Sequence, residues 1–129
     1  MVAVLDAWAV LALLQAEPAG PRVRDAVADG GAVVSWISLG EVHYVMARKR
    51  STADADRGLR QILPSVRAEE PDPEIIIAAA RIKAGGGISY ADCFVIATAQ
   101  RYGAPLLTGD PEIIDWAGDV EVIDLRTAG

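Results

Sequence analysis

The chain has 129 residues, 52% of them hydrophobic and 23% charged, which fits one folded domain around a single core and excludes a disordered segment. Its net charge of −6 excludes tight, non-specific coating of nucleic acid, a mode that needs many Lys and Arg contacts, while leaving room for a local basic patch. A single cysteine, Cys93, excludes an internal disulfide and fits a reducing cytoplasm.

Val2–Leu5 reads as a short apolar strand and Ala7–Gln15 as a helix stopped by Pro18 and Gly20. Asp6 interrupts this apolar run and no basic segment precedes it, so the N-terminus does not read as a signal peptide. No apolar run is long enough to span a bilayer, and a cytoplasmic domain without membrane attachment is expected. Arg22–Ala28 is a second helix with Pro21 at its start and Gly30–Gly31 beyond its end. Ala32–Trp36 (AVVSW) is a β-branched strand, followed by a helix from Leu39 to about Lys49 and another over Thr52–Leu63. Pro64 closes the latter, and Val66–Glu69 is a candidate edge strand.

Asp72–Pro73 has the form of an N-cap and first-turn proline for a helix running to Ala84, ended by Gly85–Gly87. Ser89 opens a helix that reaches Tyr102 and stops at Gly103. Pro105–Thr108 is a strand, Pro111–Ala117 a short helix and Val120–Leu125 a last strand. Strands separated by helices predict right-handed crossovers on a parallel sheet covered on both faces. The expected fold is therefore one three-layer α/β/α sandwich over residues 1–129.

In such a sheet, sites form beyond the carboxyl ends of the strands. Asp6 follows the first strand, Asp110 follows PLLT, and Glu41 is expected in the first turn of the helix leaving AVVSW. The helix carrying Asp92 rises about as far as the next strand descends, which returns Asp92 to the same edge. Four acids from distant parts of the chain would meet there. Gathered carboxylates repel unless a cation enters, and an all-oxygen set suits Mg²⁺ or Mn²⁺. Ions held this way can activate water for phosphodiester hydrolysis.

Each acid also has a local reading. Ser38-Leu-Gly-Glu41 and Ser89-Tyr-Ala-Asp92 fit the capping-box pattern, Asp110 fits a turn before Pro111, and Asp6 fits a helix N-cap. The sole histidine, His43, points away from Glu41 on its helix and reads as a packing or surface residue. Cys93, inside CFVIATA, reads as a buried small hydrophobe rather than a nucleophile. Arg57, Arg60 and Arg67 would share one helix stripe, either an exposed polar face or a rim that contacts RNA phosphates. Trp8, Trp36 and Trp116 can serve core packing or base stacking.

The segments VLDAWAVLALL, WISLGEVHYVMAR, YADCFVIATAQRYGAPLLTGD and VEVID, in that order, resemble the PIN-domain family and within it the VapC-type toxins. The resemblance implies a Mg²⁺- or Mn²⁺-dependent endoribonuclease that acts on RNA, is inhibited by a VapB-like antitoxin and forms a homodimer. It makes Asp6, Glu41, Asp92 and Asp110 the metal-binding and catalytic acids, with Thr108 and Glu112 as auxiliary residues. Two places depart from the family's pattern: Ala7 and Trp8 stand where Ser, Thr or Asn is frequent, and Gly109 and Pro111 flank Asp110. A receiver-like signalling module, whose aspartate accepts phosphate, is the rival reading. The Thr108-Gly-Asp110 turn lacks the lysine that a receiver places there.

Overall fold

The computed structural model describes residues 2–116 and 118–126. Five parallel strands form the sheet: β1 (Ala3–Leu5), β2 (Ala32–Ser35), β3 (Arg67–Glu69), β4 (Leu106–Thr108) and β5 (Val122–Asp124). Their order is β3-β2-β1-β4-β5. The chain leaves β1 toward one side, builds β2 and β3, then crosses over to lay β4 against the other side of β1. The strand order thus reverses between β1 and β4, the place where open α/β sheets part to form a crevice. Receiver domains have the order 2-1-3-4-5 instead.

Among the described residues seven α-helices connect the strands: α1 (Ala7–Leu14), α2 (Gly20–Ala28), α3 (Trp36–Lys49), α4 (Thr52–Ile62), α5 (Pro73–Ala84), α6 (Tyr90–Tyr102) and α7 (Pro111–Ile114). Alternation along the strands divides the core in two. Ala3, Leu5, Ala32, Val34 and Leu107 pack with α1 to α4. Val4, Val33 and Leu106 point the other way, onto α5 and α6. Two apolar layers back to back are the expected sandwich, with both sheet faces covered. Helix α6 is buried from Asp92 to Ala99, and its Thr98 hydroxyl donates to the Phe94 carbonyl at 2.7 Å, satisfying the polar group inside the core.

Local signals set most of the ends. Asp72 caps α5 through the Ile75 N–H at 2.9 Å, and Gly103 ends α6 in the left-handed region at φ 58°, which glycine adopts without a Cβ penalty. Three expectations shift. Strand AVVSW ends at Ser35, whose hydroxyl accepts from the Ile37 N–H at 3.2 Å, so α3 begins at Trp36 rather than Leu39. Glu41 therefore lies in the second turn, and Ser38 is a buried helical residue, not a cap. Arg67 lies on edge strand β3, not on a helix, so Arg57, Arg60 and Arg67 form no common stripe. A proline-containing 3₁₀ turn at Leu63–Ser65 breaks the helical phase between Arg60 and Arg67. Helix α7 stops at Ile114, with Asp115 as its C-cap, short of the expected end at Ala117, which itself lies outside the described residues.

Candidate active site

Asp6 leaves β1 and caps α1, its Oδ1 accepting from the Ala9 N–H at 2.9 Å. On the neighbouring strand, Thr108 closes β4 and donates its hydroxyl proton to Asp6 Oδ2. The same hydroxyl oxygen accepts from the Asp110 N–H at 2.9 Å. Asp110 in turn caps α7, accepting from the Glu112 N–H at 3.0 Å. One hydrogen-bonded path thus runs Asp6–Thr108–Asp110–Glu112 across the reversal between β1 and β4. Thr108 is fully buried, and its bond to Asp6 joins residues 102 apart in sequence.

Asp92 enters from α6. Ser89 caps that helix by accepting from the Asp92 N–H at 3.2 Å, and the Asp92 side chain is buried. Carboxylate oxygens of Asp92, Asp110 and Glu112 lie within 4.8 Å of one another. Glu112, expected only as an auxiliary acid, is a full member of this group. Its sequence signal was the two-residue offset from Asp110, which the tight cap of α7 turns toward Asp92. Asp6 and Glu41 stand outside this group of three but within its field, since the charge of Asp110 raises the pKa of both.

Electrostatics mark the crevice as over-supplied with negative charge. Burial pushes the Asp6 carboxyl up to about 7; the bonds from Thr108 and Ala9 oppose this, and the charges on Asp110 and Glu41 add to it. Burial also raises Asp92, to about 8, reinforced by the charge of Asp110 and the close carboxyls of Glu112 and Asp110. Glu41 is raised by burial and by the charges of Asp110 and Glu112. At neutral pH the metal-free site therefore keeps protons that ordinary carboxylates would have released.

The donor set fits a hard divalent ion. All the converging side-chain donors are oxygens; Cys93 is buried in the core, and His43 is held by Asp56 on α4 at 2.8 Å. Oxygens bound to one octahedral Mg²⁺ at about 2.1 Å stand about 3.0 Å apart side by side and about 4.2 Å apart across the ion, so the three carboxylates would draw together on binding. The arginines take no part. Arg57 is paired with Asp54 at 2.6 Å and lines a cavity with Leu14, Gln15 and Arg50, at the end of α1 remote from Asp6. Arg67 lies over the Tyr102 ring and faces Glu69 at 3.7 Å. Any phosphate contact from Arg57, Arg60 or Arg67 would be made by separate surface charges.

The two departures from the family pattern meet in space. A Cβ on Gly109 would come within 2.2 Å of Trp8 Cζ2, so the half-buried indole lies directly on the Gly109 backbone. The large residue at position 8 and the missing side chain at 109 are one packing arrangement beside Asp110.

The family model described as PIN domain matches residues 3–118. No curated protein matches the sequence. Among solved structures, the sarcin–ricin-loop-cleaving toxin VapC20 of Mycobacterium tuberculosis superposes with a TM-score of 0.76 at 20% identity, covering 93% of this chain and 98% of that one. The DNA-bound VapBC of Salmonella typhimurium gives 0.80 at 15%, covering 97% and 98%. FitAcB of Neisseria gonorrhoeae gives 0.76 at 22%, covering 98% and 100%. These structures share the fold of this chain.

Proposed function

The chain belongs to the PIN-domain family, and from that premise we propose that it is a Mg²⁺- or Mn²⁺-dependent endoribonuclease, the toxin of a VapBC-type pair. One observation carries the reading: distant segments of the chain bring Asp6, Asp92 and the Asp110–Glu112 pair to the crevice where the strand order reverses, with Glu41 within the field of Asp110 and Glu112. Such an ion supplies Lewis-acid activation of water and neutralises charge at the phosphate. In this reading Asp92, Asp110 and Glu112 would hold the ion directly. Asp6 and Glu41 would complete the negative field around it. Thr108 is a positioning residue: it fixes one oxygen of Asp6 and the backbone of Asp110 at the same time.

The VapBC complexes among the solved structures of this fold support a VapB-like antitoxin as partner. A homodimer as the working form is part of the same proposal and rests on the resemblance to VapC-type toxins alone. Among the described residues no helix is long and apolar enough to cross a membrane, and a cytoplasmic site of action belongs to the same proposal.

The test uses purified protein, a mixed RNA substrate and Mg²⁺, Mn²⁺ or EDTA, alongside Asp110→Asn and Glu112→Gln. Cleavage should require the metal and fall at least about a hundredfold in each variant, because each removes a charged donor from a three-carboxylate set. Cleavage that survives both EDTA and Asp110→Asn would end the metal-nuclease reading. A Glu112→Gln variant as active as the parent would return Glu112 to an auxiliary role.

A further inference from the structure

Beside the acid cluster, and sharing Glu112 with it, is a cavity of about 420 Å³ lined by Gly86, Gly87, Pro111, Glu112, Asp115 and Trp116. This volume lies in the range of small-ligand sites. Gly86 and Gly87 have φ of 79° and 80°, and a Cβ at either would meet nothing within 4 Å, so the loop before α6 borders open space. The half-buried Trp116 packs against the second core and also lines the cavity, giving it a rigid aromatic wall. Asp115 and Glu112 supply only acceptors, and among the described residues no Lys or Arg lines the space.

We propose that this cavity is a subsite for a guanine base of the RNA substrate, next to the phosphodiester that is cut. The inference rests on the nuclease reading and names a specificity element within it. A phosphate would be repelled by Glu112 and Asp115, whereas a neutral base is not. Single-stranded RNA is read by stacking splayed bases on aromatic rings and bonding their Watson–Crick edges. Of the four RNA bases, only guanine offers two adjacent donors, N1–H and the N2 amino group, to a carboxylate on one edge. Trp116 would stack the ring, and Asp115, one residue before it, would accept from that edge. Glu112 stays with the acid cluster, which sets the distance from base to scissile phosphate.

Two arms test this. In the first, intrinsic tryptophan fluorescence of the metal-free protein is titrated with guanosine, adenosine, cytidine and uridine 5′-monophosphates, with Trp116→Phe as the control for which indole responds. Guanylate should quench at concentrations at least tenfold below uridylate, with a signal lost in Trp116→Phe. In the second, cleavage sites are mapped on a randomised RNA. The parent should require guanosine at one fixed position relative to the cut. Trp116→Ala should lower kcat/KM about ten- to a hundredfold at those sites. Asp115→Asn should abolish the guanosine requirement while cleavage continues elsewhere.

Equal quenching by guanylate and uridylate would overturn the proposal, as would an unchanged cleavage pattern in Asp115→Asn. Guanylate binding with no guanosine requirement in RNA would make the cavity a free-nucleotide site and would equally overturn it. Should Trp116→Ala fail to fold, the titration of the parent protein and the Asp115→Asn cleavage map still decide. If the parent cuts no RNA at all, the nuclease reading fails, and the titration separately reports whether the cavity takes guanine.

Discussion

Replacing Asp6 with asparagine should stabilise the metal-free protein above neutral pH, and the amount follows from its burial. Asp6 is 2% exposed, and its carboxyl is held at about 7 against an ordinary 3.8. At about 1.4 kcal/mol per tenfold change in proton affinity, that separation opposes folding by about 4 kcal/mol once the group is ionised in both states. Because the folded-state value is raised, the folded protein keeps a proton that the unfolded chain has released between about pH 4 and pH 7. The associated stability is fully present below about pH 4 and is lost as pH rises through about 7.

Asparagine carries no such titration, and its side-chain carbonyl can keep the Ala9 cap. It does deprive the Thr108 hydroxyl of its carboxyl acceptor, a loss of about 1 kcal/mol. In EDTA at pH 8, Asp6→Asn should therefore exceed the parent by about 3 kcal/mol. At pH 5 most of the penalty is already relieved by protonation, and the two proteins should be nearly equal. Urea unfolding midpoints measured from pH 5 to pH 8 read the difference directly. A gap of the same size at both ends of that range would refute the argument, since burial of an ionised carboxylate could not then be its source. Millimolar Mg²⁺ should stabilise the parent at pH 8 and stabilise the variant less, because relief of the same charge is what the ion contributes.

Two further predictions concern the frame around the acids. Thr108→Val removes the bond to Asp6 and strands the Asp110 N–H, and should cost about 1–3 kcal/mol in urea unfolding; Thr108→Ser, which keeps the hydroxyl, should cost less than 1. A larger loss in Thr108→Ser than in Thr108→Val would show that the methyl group, not the hydroxyl, matters. Gly109→Ala drives a Cβ into the Trp8 ring and should cost about 1–3 kcal/mol, a loss largely recovered in a Trp8→Ala background. Strict additivity in that double-mutant cycle would mean that the two positions do not share one packing arrangement.

Much of this molecule follows from residues only a few positions apart. The cap-and-proline pair Asp72–Pro73 opens α5, Ser89 opens α6 and Gly103 closes it, all where local chemistry requires. Alternation of strands and helices dictates a parallel sheet, and parallel strands dictate an edge at which Asp6 and Asp110 emerge. Asp6 and Asp110 both cap helices at the crevice, so the local reading of each holds beside the role proposed for it. The start of α3 escaped because two serines compete for the cap. Ser35 takes it, and the Ser38 hydroxyl is left buried without a partner.

What only the tertiary structure decided is the company these residues keep. No local signal determines that β4 lies against β1, yet that pairing creates the crevice and lets Thr108 reach Asp6 across 102 positions. The same holds for Glu112 beside Asp92, Trp8 on Gly109, and Arg67 on a strand away from Arg57 and Arg60. Propensities and caps act over one helical turn and so can be read in order along the chain. Strand pairing and charge clustering depend on which surfaces bury each other, and that is settled only when the whole core closes.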